Sequence, residues 1–78
     1  MKDLLTYLLS NISSHPEDIV VEETEGNNGQ RNFTLHVNKE DMGVVIGKQG
    51  RIIRAIRDLA KLVAAKQNTF VDIILADE

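Results

Sequence analysis

A chain of 78 residues supports one domain with a marginal hydrophobic core, so residues 1–78 are expected to fold as a single unit. It has no cysteine, which excludes disulfides, thiolate metal sites and a cysteine nucleophile. Its net charge of −3 conceals an asymmetry: residues 46–66 carry six cations against one acid, and residues 1–45 carry three cations against eight acids. A local cationic face of that kind can hold phosphate on a protein that is acidic overall. No apolar run nears the ~20 residues that a bilayer crossing needs. Met1-Lys2-Asp3 lacks the cationic-then-apolar start of a signal peptide. The chain is therefore expected in the cytoplasm, away from membranes.

Leu4, Leu5, Leu8, Leu9 and Ile12 repeat with the period of one helix face. Pro16 disfavours helix at the residue before it, so that helix should stop near Ser13 and Ser14. Residues 19–24 are rich in β-branched side chains and predict a strand. Gly26-Asn27-Asn28-Gly29 is a turn cluster. The alternation over 32–37 then predicts a second strand, with Phe33, Leu35 and Val37 inward. Asn38 is a candidate N-cap, with Asp41 three residues on as its capping-box partner, opening a short helix over 39–46. After Gly47-Lys48-Gln49-Gly50 a longer helix is predicted over 51–66, its inner face made of Ile53, Ile56, Ala60 and Val63. Asn68-Thr69 ends it. Residues 70–75 predict the last strand, with Phe70 in the core like Phe33, and residues 76–78 are expected to fray. The order α-β-β-α-α-β predicts an α+β, two-layer sandwich: a three-stranded sheet with the helices on one face. The other sheet face stays partly open.

The glycine-bearing turn carries the strongest chemical signal. Gly47 and Gly50 stand three apart, between an apolar lead-in and a helix studded with arginine. Such a turn brings backbone N–H groups up to an anion. Two rival phosphate motifs fail on spacing. A P-loop needs four residues between its glycines, but Gly43 and Gly47 enclose three, and Gln49 stands where a magnesium-binding hydroxyl belongs. A dinucleotide fingerprint needs G-x-G-x-x-G, and Val45 removes its first G-x-G.

What remains is Val45-Ile46-Gly47-Lys48-Gln49-Gly50-Arg51-Ile52-Ile53-Arg54-Ala55-Ile56, which resembles the [IV]-I-G-x-x-G-x-x-I-x-x-I core of a KH domain. The element order resembles the type II arrangement. The size resembles the small, stand-alone bacterial KH proteins of the KhpA type. The resemblance implies a G-x-x-G loop that clamps the backbone of about four nucleotides of single-stranded RNA. Carried onto this chain, it implies Gly47 and Gly50 as the close-approach positions, with Lys48 and Gln49 between them. It implies Arg51 and Arg54 on neighbouring phosphates, with Gly43, Val44 and Ile53 as groove wall. Some of residues 34–37 would lie within reach of the bases. It further implies homodimerisation, or pairing with a second, larger RNA-binding protein that carries its own KH domain. Roles in post-transcriptional regulation, RNA chaperoning and cell shape follow from the same likeness.

Ile52 departs from the small polar residue common at its position in that group. One step off the inner stripe, it is either half-buried core or a dimer or partner contact. The remaining signals are bland. Arg57 and Lys61, four apart, repel weakly rather than stabilise, and Lys61 and Lys66 read as a solvated face. Glu22, Glu23 and Glu25 read as an edge that discourages strand addition. His15 and His36 are isolated, so no metal site is expected. No acid–base pair or nucleophile elbow is present, so neither an enzyme, a cofactor nor a small-molecule substrate is expected. With Phe33 and Phe70 assigned to the core, base stacking on an aromatic platform is not expected. The leading expectation is a non-catalytic binder of single-stranded RNA. The acidic balance and Ile52 leave a second class open, a protein–protein scaffold with a KH fold and little RNA affinity.

Overall fold

A computed structural model of the chain describes residues 1–76, so the expected fraying of Asp77 and Glu78 falls outside the described residues. Helix α1 spans Lys2–Ile12. Its Leu5 and Leu9, one turn apart, are fully buried, and each contributes about 1.5–3 kcal/mol by leaving water. The helix stops at Ser13, which is extended (φ −94, ψ 142) and donates its N–H to Leu9 O. Pro16 opens a single 3-10 turn, where its missing N–H costs nothing.

Strands β1 (Val20–Glu25) and β2 (Arg31–His36) pair antiparallel, with Val21 opposite Leu35. Gly29 turns the chain between them at φ +77. Strand β3 (Val71–Leu75) lies parallel on the far side of β2, with Ile73 opposite Phe33. Parallel neighbours need a crossover, and α2 (Met42–Ile46) and α3 (Arg51–Lys66) supply it. The sheet order is β1-β2-β3, so β2 is central and β3 is an edge. Val21, Phe33, Leu35, Val71 and Ile73 meet Leu5, Leu9, Val45, Ile53, Ile56, Ala60 and Ala64 in one core. Helix α1 lies against β1, α3 lies against β3, and α2 touches both helices. This is the expected α-β-β-α-α-β sandwich.

Four local expectations need correction. Val63 is half-buried, and Ala64 takes its place in the core. Ile53, Ile56, Ala60 and Ala64 step i, i+3, i+7, i+11 and stay on one face, whereas position 63 lies at its margin beside Ile56, about 65° from the centre. Phe70 is 75% exposed rather than core. Asn68 takes a left-handed turn at φ 56, which delays the strand to Val71. Since Val71 and Ile73 face inward, position 70 falls out of that phase. Ala76 is tied down, its N–H donating to Leu35 O at 2.9 Å.

The fourth correction concerns Asp41. Asn38 does cap, its side chain accepting from the Glu40 N–H at 2.8 Å. Asp41 does not complete a capping box. Its carboxylate is buried and accepts the Ser14 and His15 N–H groups, each at 2.9 Å. The His15 Nδ1 stands 3.4 Å away. The Ser14 N–H, above all, holds the carboxyl below the usual carboxylate range against the opposing effect of burial, and the His15 N–H adds to this. One side chain thereby fastens the end of α1 to the start of α2, which leads into the glycine turn.

Candidate nucleic-acid interface

Helix α2 ends at Gly47 (φ 76, ψ 173), whose N–H donates to Gly43 O at 2.9 Å. A Cβ on Gly47 would fall 2.3 Å from Ile52 Cγ1 and 2.9 Å from Ile52 N, so only glycine fits. Lys48, Gln49 and Gly50 form one tight turn, closed by the Gly50 N–H donating to Gly47 O at 3.1 Å. Gln49 (φ 58) and Gly50 (φ 74) are both left-handed. For Gln49 that conformation costs about 1–2 kcal/mol. A Cβ on Gly50 would meet open space, with Arg54 Nη2 the nearest atom at 4.0 Å. The two glycines are therefore required for different reasons. Gly50 keeps an open side, whereas Gly47 makes room for Ile52.

The turn delivers the chain into α3 at Arg51, with no side chain capping the helix N-terminus. At 100° per residue α3 divides into three faces. Ile53, Ile56, Ala60 and Ala64 face the core. Arg54, Arg57 and Lys61 form a cationic flank towards β3. Ile52, Ala55, Leu59 and Leu62 form an apolar flank towards α1.

The cationic flank is anchored at two backbone carbonyls. Arg54 Nη2 donates to Gln49 O at 3.4 Å, and Arg57 Nε donates to Ile73 O at 3.2 Å. Arg31 N–H donates to Phe70 O and Ala76 N–H to Leu35 O, so the even-numbered residues of this segment turn their peptide groups to β2. Val71, Ile73 and Leu75 therefore present theirs at the open edge, where Arg57 already holds one. Among the described residues, Lys48, Arg51 and Arg54 form no ion pair. Their charge is available to an outside anion.

The structure brings most of the sequence-predicted site residues together. Lys48, Gln49, Arg51 and Arg54 are exposed on the turn and first helical turns. Val44 is exposed on α2, and a Cβ on Gly43 would find nothing within 4 Å. Ile53 does not line a groove: it is 6% exposed and packs into the core beneath the loop. Residues 34–37 lie on and just past the central strand β2. Leu35 is buried, Val37 packs on the core, and His36 lies with its Nε2 2.5 Å from Glu22 Oε1. With β2 central in the sheet, the strand edge beside α3 belongs to β3. Sequence reasoning missed Arg57 as a member of this surface. Its spacing from Arg54, three residues along a helix, was the available signal.

The apolar flank holds Ile52, which is 39% exposed. Leu8, Ile12, Ile52, Ala55, Ile56 and Leu59 line a shallow cavity of about 180 Å³ between α1 and α3. Leu62 continues the flank and is largely exposed.

This arrangement has close parallels among known proteins. The sequence profile of the family described as KhpA/KhpB, KH domain, matches residues 2–75. The chain belongs to the KhpA/KhpB KH-domain family. The RNA-binding protein KhpA of Chlamydia caviae is 37% identical over 78 residues, covering 100% of this chain and 99% of the relative. The RNA-binding protein KhpA of Listeria monocytogenes is 44% identical over 70 residues, covering 87% of this chain and 88% of the relative. A crystal structure of Aquifex aeolicus Era bound to GDP.AlF4- shares the fold at a TM-score of 0.65 and 14% identity, over 95% of this chain and 29% of that one. The fold thus extends to a much larger protein. No helix among the described residues is long and apolar enough to cross a membrane.

Proposed function

We propose that this KH protein binds single-stranded RNA at the Gly47–Gly50 turn, without chemistry. The observation that carries the reading is the turn itself: among the described residues, Lys48, Arg51 and Arg54 form no ion pair, and they surround a backbone that turns through two left-handed residues into an uncapped helix. The relatives are named RNA-binding proteins, and KH turns hold about four nucleotides by their backbone. Gly50, Lys48 and Gln49 meet the phosphates in this reading, and Arg51 and Arg54 neutralise adjacent ones. Gly47 shapes the turn. Gly43 and Val44 form the exposed wall, with Ile53 supporting it from the core. The same reading makes the chain a cytoplasmic post-transcriptional regulator or RNA chaperone.

The test is fluorescence anisotropy with short single-stranded RNA at low and moderate salt, comparing wild type with the Lys48→Asp, Gln49→Asp double variant. Aspartate tolerates the left-handed conformation at position 49, so the turn should survive. Binding that weakens with salt and disappears in the variant supports the reading. Equal affinity of the two proteins overturns it.

A second reading attaches to the apolar flank. Ile52, Leu59 and Leu62 expose more apolar surface than scattered single residues do. A contact with a second copy, or with a larger partner carrying its own KH domain, would cover it. Two linked copies would raise RNA affinity through effective concentration.

A further inference from the structure

The largest cavity among those described lies at the far end of the cationic flank, about 550 Å³ in volume. Lys61, Ala64 and Ala65 of α3 form one wall, and Asn68, Phe70 and Val71 form the other. Its volume falls within the range of small-ligand sites, about 300–1,000 Å³. Phe70 is one of only two phenylalanines in the chain, and it is 75% exposed here. Its backbone is nonetheless fixed, because Phe70 O accepts the Arg31 N–H at 2.9 Å. The left-handed Asn68, the last residue of the turn from α3, brings an amide to the same slot. Lys61 stands at its lip and forms no ion pair among the described residues.

We infer that this slot holds a nucleobase of the bound RNA, stacked on Phe70 with Lys61 on its phosphate, so that the RNA track continues past the turn along α3. The inference rests on the RNA-binding reading above. Three features favour this occupant over an apolar peptide. Arg54, Arg57 and Lys61 line one continuous route from the turn to the slot, about 10 Å along the helix. A flat aromatic ring beside a cation and an amide matches a base with its phosphate, and stacking is indifferent to base identity. The alanines at 64 and 65 keep the α3 wall low enough for a ring to enter.

The chain has no tryptophan, so Phe70→Trp supplies a single reporter at an exposed site. We would titrate it with a four-nucleotide RNA and with one about twice as long. The longer RNA should quench tryptophan emission, and the shorter one should bind without quenching. Phe70→Ala should weaken the longer RNA at least ~5-fold and leave the shorter one unchanged. Lys61→Gln should lower the salt slope of the longer RNA by about 0.7. Unchanged four-nucleotide affinity also certifies that each variant is folded. Unquenched emission while the longer RNA binds overturns the slot. So does a Phe70→Ala effect on sedimentation instead of RNA affinity, which would assign the slot to a second copy. If the Lys48→Asp, Gln49→Asp variant binds both RNAs like wild type, the RNA reading itself fails, which is a separate result.

Discussion

The two flanks of α3 carry opposite chemistry on one rigid rod. One is a row of guanidinium and ammonium groups beside the open edge of β3. The other is a row of aliphatic side chains beside α1. The two motif glycines divide between them. The missing Cβ of Gly47 points at Ile52, which begins the apolar flank, and that of Gly50 points toward Arg54, on the cationic flank. A single sixteen-residue helix can therefore present an anion site and a packing surface at once. The core face separates the flanks on the inner side of the helix, and Arg51 and Asp58 lie between them on the outer side.

The division predicts unequal glycine effects. Gly47→Ala forces a Cβ to within 2.9 Å of a backbone nitrogen as well as into a side chain. It should cost about 2–4 kcal/mol in urea denaturation, as strained and overpacked sites do. Gly50→Ala meets only left-handed strain and should cost about 1–2 kcal/mol. Equal losses would mean that Ile52 yields easily and that the flanks are not pinned to the turn in the way described.

Substitution on each flank should move one readout and spare the other. Arg54→Gln removes one cation and should reduce the salt slope of RNA binding by about 0.7, with sedimentation unchanged. Leu62→Asp, at a 64% exposed site, should weaken any self-association seen in sedimentation and leave four-nucleotide affinity intact. Leu62 tests the apolar flank better than Ile52, because Ile52 also fills the space over Gly47. A Leu62→Asp effect on four-nucleotide affinity would show that the flanks are coupled.

The fold was legible because its signals are periodic. The leucines of α1, the alternation of β2 and the Ile53–Ile56–Ala60 stripe are patterns that survive any local detail. The turn was legible because glycine spacing encodes backbone conformation. Three features escaped. The β3 edge as the neighbour of α3 is a matter of strand order, which alternation within a strand does not encode. Phe70 was assigned by its hydrophobicity, while its phase relative to Val71 and Ile73 already pointed away from the core. Asp41 was assigned by a local spacing rule, and two backbone donors more than twenty residues away outcompeted it.

That last residue gives the smallest effect and the one most distant from either flank. Asp41→Asn keeps the shape but sets an amide N–H₂ against one of two backbone donors. Because the Asp41 pKa is lowered on folding, its contribution is fully present above the unfolded value of about 3.9 and is lost as pH falls through the folded one. The variant should therefore be less stable than wild type at pH 7, and the gap between the two urea curves should close as pH falls below the unfolded value and through the folded one. The other eleven acids are common to both proteins, so their protonation cancels in the comparison. RNA affinity at neutral pH should change little, since the α1–α2 fastening orients α2 without touching the turn. A variant gap that stays constant with pH would mean that Asp41 acts through packing alone, and that its carboxylate charge does not hold α1 to α2.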